Sequence, residues 1–177
     1  MEMKIPPLHF GKVIRGRLSS TTKLYQGEFG NLQQMEEFVP GNLSKRQVVS
    51  KYMSTFDPMG KLIPSTSKMK KDLRDLMADT PTWDEPVSSE HRSTWVKNFM
   101  TLEALKGIKF TRPRMPSDAV DTKMRLMVVV DASKDIISVW AGVGFKRRNG
   151  KWSSAYLVGR CLLAPPDSSI SAMRWRL

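Results

Sequence analysis

Asp131 stands where the apolar run "RLMVVVD" stops. A carboxylate at the exit of a central strand is held by the backbone at the open end of a rigid sheet, which suits it to bind a divalent cation. The plainer reading is that it ends the strand. Beyond it the chain offers only Asp135 and Asp167, and no glutamate follows Glu103. One cysteine, Cys161, and two histidines, His9 and His91, cannot build a four-ligand zinc site or a disulfide framework. Cys161 lies in "AYLVGRCLLAP" and reads as a buried, inert thiol rather than a nucleophile.

The second chemical signal is charge. Lysine and arginine outnumber acids 29 to 17, giving a net charge of +12 and a pI near 10.0. Such a balance attracts polyanions, nucleic acid first, although an inert basic surface has the same total. Lys68, Lys70, Lys71 and Arg74 share one helical stretch, and Lys146, Arg147, Arg148 and Lys151 crowd a turn between strands. These eight are the candidate phosphate contacts; a solvated face is the bland alternative. Trp140, Trp152 and Tyr156 could stack on bases, but at strand positions packing against neighbours is the default.

The elements that must position these groups follow from spacing. With 177 residues, 40% of them hydrophobic, the chain can bury the core of one ordinary domain or two small ones. Residues 1–42 are irregular and suggest short strands and turns. Ser44 and Gln47 form a capping box, with Leu43 and Val48 as its staple, and open a helix whose apolar face includes Val49, Tyr52, Met53 and Phe56 before Pro58. A second helix is expected from Ser65–Ser67, carrying Met69, Leu73, Leu76 and Met77. A third spans about Ser88 to Lys106, with Trp95, Phe99 and Leu102 on one face and Gly107 marking its end. "IKF" reads as a short strand before a proline-bearing linker.

From Met124 three strands follow in succession. "MRLMVVVD" is apolar at nearly every position, which predicts burial on both faces. The second alternates Val139, Ala141, Val143 and Phe145 on one side, and Asn149-Gly150 predicts a type I′ hairpin into the third. A helix capped by Asp167 or a nearby serine should come next. Helices first and an antiparallel meander afterwards make an α+β chain. "MEMKIPPLHF" lacks the apolar core of a signal peptide and "LMVVV" is too short to cross a bilayer, so an intracellular setting, cytoplasmic or nuclear and not secreted, with no membrane partner, is expected.

Three enzyme classes place an aspartate after such a strand. Retroviral-type aspartic proteases need Asp-Ser/Thr-Gly, whereas Ala132-Ser133 follows here. Actin-like ATPases need glycine in the next loop, where Lys134-Asp135 stand. The ribonuclease H order of aspartate, two further antiparallel strands and a helix is the one present.

"KRQVVSKYMSTFDPMGKLIP" resembles the segment of Bel/Pao retrotransposon Pol polyproteins in which a KR-x-V helix leads into FDP-L-G-x-L-x-P. "TWDEP" resembles their WDDP, and "DASKDIISVWAGV" their ribonuclease H opening. The resemblance covers about three quarters of the chain, from Leu43 to Leu177. It implies a remnant that follows a reverse transcriptase palm (1–42), a helical thumb or connection (43–107), a linker (108–123) and a truncated ribonuclease H-like domain (124–177).

It further implies that Asp131 is the first metal-binding aspartate of a two-Mg²⁺ site and the catalytic remnant. The helix glutamate and later aspartates of that site have no counterpart here, nor has the polymerase YxDD box. One carboxylate cannot hold two divalent ions at close range, so weak metal binding and no hydrolysis by this chain alone are expected. The expected function is a Pol-polyprotein fragment with residual nucleic-acid affinity, partnered by RNA or an RNA/DNA hybrid and by other parts of Pol. A retained non-catalytic binding module is the alternative. An active Mg²⁺-dependent nuclease is expected only if a longer chain or a second one completes the site.

Overall fold

The computed structural model describes residues 8–10, 13–14, 17–18, 24–28, 30–106, 108–110 and 115–165. The elements, in chain order, are β1 (Val13–Ile14), β2 (Arg17–Leu18), α1 (Leu32–Phe38), α2 (Lys45–Met53), α3 (Ile63–Asp79), α4 (Ser89–Leu105), β3 (Ala119–Ala132), β4 (Ile136–Arg147) and β5 (Trp152–Leu163). The fold is α+β, with β1 and β2 paired as a small antiparallel ribbon and β3, β4 and β5 forming an antiparallel meander in that order. No helix among the described residues is long and apolar enough to cross a membrane. The chain divides into two compact units. One holds 57–71 and 110–177, the other 2–56 and 72–109, and α3 runs from the first into the second.

The helical unit is built on a dry aromatic centre. Trp95, Phe99, Met35, Leu43 and Val48 are fully buried. Trp95 packs against Phe99 and Tyr52 with ring centroids 5.8 and 6.2 Å apart. Here the spacing rules hold. The Ser44–Gln47 capping box is complete, and Ser88 caps α4 by accepting the His91 N–H. Helix α1, which the irregular N-terminal pattern does not announce, starts at an Asn31 cap. At its other end Arg92 donates to the carbonyl of Glu36 in the last turn and to those of Val39 and Pro40 just beyond the helix.

Two of the quoted motifs clasp each other in this unit. Lys45 donates to the Thr80 carbonyl and lies 4.9 Å from the Trp83 ring centre, with the Arg46 guanidinium 5.8 Å from the same ring. Arg46 also grips Asp84 with two hydrogen bonds of 2.6 and 2.9 Å, and its backbone N–H donates to the Trp83 carbonyl. The KR pair and TWDEP are therefore one structural device. The hydrogen bond from Arg46, then its charge, holds the Asp84 carboxyl below its ordinary value. A carboxylate depressed in the folded state contributes stability above its unfolded pKa and loses it as pH falls through the folded one. The difference in denaturation midpoint between the wild type and Asp84→Asn should thus be present at neutral pH and close below the ordinary aspartate value of 3.8. A difference that persists at about pH 2 would show the clasp is not ionic.

Several expectations need correction. α2 ends at Met53, which leaves Met53 and Phe56 exposed at 65% and 62%. α3 begins at Ile63, not Ser65–Ser67, because proline is tolerated in a first helical turn and Pro64 occupies it. On α3, Met69 and Leu76 are buried, but Met77 is exposed. Residues 108–110 carry no strand, and β3 begins at Ala119 rather than Met124.

The largest correction concerns β3. Leu126, Val128, Val129 and Val130 are 69%, 56%, 55% and 50% exposed, not buried on both faces. Apolar composition predicts what a strand needs, not whether neighbours are present to cover it, and among the described residues β3 is paired on one side only, by β4. In β4, Phe145 is buried together with Gly142 and Gly144, whereas Val139, Ala141 and Val143 are half-buried, so burial does not follow the expected one-sided alternation; opposite Ala141 and Gly142 the register shifts by one extra residue, Leu157, in β5. The β4–β5 turn is also of another type. The Gly150 N–H donates to the Arg147 carbonyl at 2.9 Å and Gly150 has φ 81°, the three-residue loop with glycine in the left-handed position rather than a two-residue type I′ turn. Gly107 and the expected C-terminal helix with Asp167 lie outside the described residues.

Candidate functional site

Asp131 pairs with Ser138 near the end of β3 and is exposed. The following Ser133 closes the tight β3–β4 connection: its N–H donates to the Ile136 carbonyl at 2.8 Å, while its Oγ accepts the Ile136 N–H at 3.1 Å. This turn, in place of a glycine loop, sets Asp135 just beyond Asp131. Asp135 is ion-paired to Lys71 at 3.0 Å. Among the described residues no three His, Cys, Asp or Glu side chains gather so as to hold a metal ion.

A cavity of about 510 Å³ opens at Asp131, walled by Phe110, Val129, Trp140 and Tyr156, with Lys61 also lining it. The FDPMG motif contributes Gly60 to the lining. Asp57 accepts the N–H groups of Lys61 and Leu62 at 2.9 and 2.7 Å, and so serves the exposed donors ahead of α3. Gly60 turns with φ 70° directly against the Gly159 carbonyl of β5. Tyr156 fastens the loop by donating toward the Met59 and Gly60 carbonyls, each at 2.9 Å, and the Gly159 N–H donates to the Met59 carbonyl at 2.8 Å. Burial, then the Asp57 charge, pushes the Tyr156 phenol above its ordinary value and keeps it a donor. Sequence spacing does not single out Lys61, Asp57 or Tyr156 as neighbours of the site. The glycine in FDPMG, close to an acid and a proline, is the signal of a constrained loop.

The eight basic candidates fall into separate groups. Lys70 donates to the Cys161 carbonyl and Lys71 pairs with Asp135, so both serve the sheet at its Asp131 end. Arg74 lies 3.9 Å from Asp75, and Lys68 is exposed on α3. Lys146, Arg147, Arg148 and Lys151 cluster at the opposite end of the meander, about 26 Å from Ser138 along β4 at about 3.3 Å per residue. Arg148 and Lys151 are exposed there, and Arg147 lies 3.9 Å from Asp118. Trp140 packs on Tyr156 with centroids 6.0 Å apart, and Trp152 lies under the Arg125 guanidinium at 4.6 Å. Cys161 is a free, buried thiol.

Residues 44–177 match the model of the Pao retrotransposon-like RNaseH-like domain. Comparison with curated proteins and with solved structures finds no match. The match begins at the capping serine of α2 and takes in the motif clasp, the FDPMG loop and the whole meander. This chain belongs to the Pao retrotransposon-like RNaseH-like domain family, and its region of a Bel/Pao Pol polyprotein is RNase H-like.

Proposed function

We propose that the chain binds RNA or an RNA/DNA hybrid through its basic surface and does not by itself cut the strand it holds. The observation that carries this reading is the chemistry around Asp131. Ribonuclease H-type cleavage uses two Mg²⁺ ions clamped by several carboxylates. The described residues do not fit such a pair: the cavity at Asp131 has one carboxylate, an ammonium from Lys61 and aromatic walls, while Asp135 is engaged by Lys71. A lone carboxylate beside a cation offsets too little of the charge of two divalent ions.

Family membership supports nucleic acid as the general kind of partner, and the net charge of +12 supports a polyanion. Within that charge, the β4–β5 turn is the most favourable contact, since four cations stand within six residues on a rigid hairpin tip. Lys70 and Lys71, by contrast, are engaged by the sheet itself. Inside the cell, other parts of the Pol polyprotein are the expected companions.

The test is the salt dependence of hybrid binding. The variant carrying Lys146→Gln, Arg147→Gln, Arg148→Gln and Lys151→Gln should bind about two orders of magnitude more weakly near 0.15 M salt. Its log–log salt slope should be shallower by about one for each phosphate that is no longer neutralised. An unchanged slope would remove the hairpin tip from the interface.

A further inference from the structure

Beside the basic hairpin the meander holds a second cavity, of about 470 Å³, within the range of about 300–1,000 Å³ usual for small-molecule sites. Its walls come from all three strands. The register sets Arg125 opposite Gly144, Gly144 opposite Ser154, and Lys146 opposite Trp152, and residues directly opposite share a face of the sheet. Trp140, an even number of residues from Gly144 along β4, lies on that face too.

Two glycines make the room. A Cβ on Gly142 would lie 2.6 Å from the Trp140 ring, so this indole reaches over bare backbone. A Cβ on Gly144 would stand 3.5 Å from the Trp152 ring and 3.6 Å from the Met127 methyl, and its absence leaves a hollow between those side chains.

The lining selects the guest. Trp152 is 45% exposed, and the Arg125 guanidinium stands 4.6 Å from its ring centre. A guanidinium stacked on an indole makes a flat platform and still carries in-plane donors for an anion. Among the described residues that line the cleft none bears a carboxylate, and Arg125 with the neighbouring Lys146 disfavours a cationic guest. A flat ring joined to a negative charge suits both features, and a nucleotide is such a ligand. Bases within a duplex are paired and stacked on one another, so only an unpaired base is free to enter.

We infer that the cleft receives the base of an unpaired nucleotide, stacked against the Arg125–Trp152 pair, while Lys146 and the rest of the hairpin tip hold its phosphates. This rests on the reading of the hairpin as the nucleic-acid contact and adds a selectivity to it. Charge alone holds any polyanion, whereas the cleft favours a strand whose bases are accessible. Stacking of this kind is tolerant of sequence, so no particular base is required.

The test compares binding of the full chain to an oligouridylate of about twelve nucleotides and to an abasic ribose-phosphate strand of equal length and charge. The wild type should bind the base-bearing strand about tenfold more tightly. Trp152→Ala should bind both strands equally, at the abasic level and with the salt slope of the wild type, because no phosphate contact is removed. Trp152→Phe should keep most of the preference. Gly144→Val is the second arm. The Gly144 backbone is not left-handed, so the added methyls fill the hollow without backbone strain, and the preference for bases should vanish with Trp152 still in place. Equal affinity of the wild type for the two strands, with a steep salt slope, would overturn the cleft alone. Failure to bind either strand would overturn the hairpin reading together with it. A preference for bases that survives in both Trp152→Ala and Gly144→Val would also overturn the proposal.

Discussion

Trp95→Ala should remove about 3–5 kcal/mol of stability, a large share of the roughly 5–15 kcal/mol that holds an ordinary domain together. Trp95 is fully buried and is the largest side chain at the centre of the helical unit, where α4 presents it to Phe99 and Tyr52. Truncation to alanine leaves a void that rigid neighbouring rings cannot fill. Urea denaturation followed by far-UV circular dichroism will give the magnitude. Trp95→Phe is the informative companion. Among the described residues the buried indole N–H has no hydrogen-bond partner, so the phenyl ring gives up volume but no polar contact there. Its cost should stay below about 1.5 kcal/mol. Equal losses in the two variants would mean that shape, not burial, dominates the site.

Gly60→Val should be the most damaging single change in the sheet-bearing unit, by about 3 kcal/mol or more. Two costs combine. The φ of 70° is a conformation that β-branched residues avoid, and a Cβ there would lie 2.1 Å from the Gly159 carbonyl oxygen, a backbone atom that cannot swing aside. Relief requires the FDPMG loop to leave β5, which breaks the hydrogen bond that the Tyr156 hydroxyl shares between the Met59 and Gly60 carbonyls and the bond from the Gly159 N–H. Gly41→Ala is the control, because a Cβ there meets nothing within 4 Å. It should stay within about 0.5 kcal/mol of wild type. If Gly60→Val were equally mild, the loop's fixed seat on β5 would be refuted.

How far the sequence discloses this chain depends on the range of the contact. Helix ends set by neighbours three residues apart are legible: the Ser44–Gln47 box stands where the spacing puts it, and α4 begins within one residue of the expected Ser88. So is the three-stranded meander, because its turns are local. The exposure of Leu126 and Val128 is not, since alternation and apolarity describe one strand and say nothing of its neighbours. The motifs show the same divide. KR, TWDEP and FDPMG are recognisable as words, but their meaning lies in pairs such as Arg46 with Asp84, 38 residues apart, and Tyr156 with Gly60, 96 apart. Asp131 stands out by its place at a strand exit, whereas the lysine that lines its cavity is supplied by the loop before α3.

Incubation of the chain with a labelled RNA/DNA hybrid and Mg²⁺, read at once for retention and for strand length, separates holding from cutting. Retention should fall steeply with salt while the RNA strand stays intact, and Asp131→Asn should be indistinguishable from wild type. RNA cleavage that depends on Mg²⁺ and disappears in Asp131→Asn would overturn the reading of this chain as a binder that does not cut.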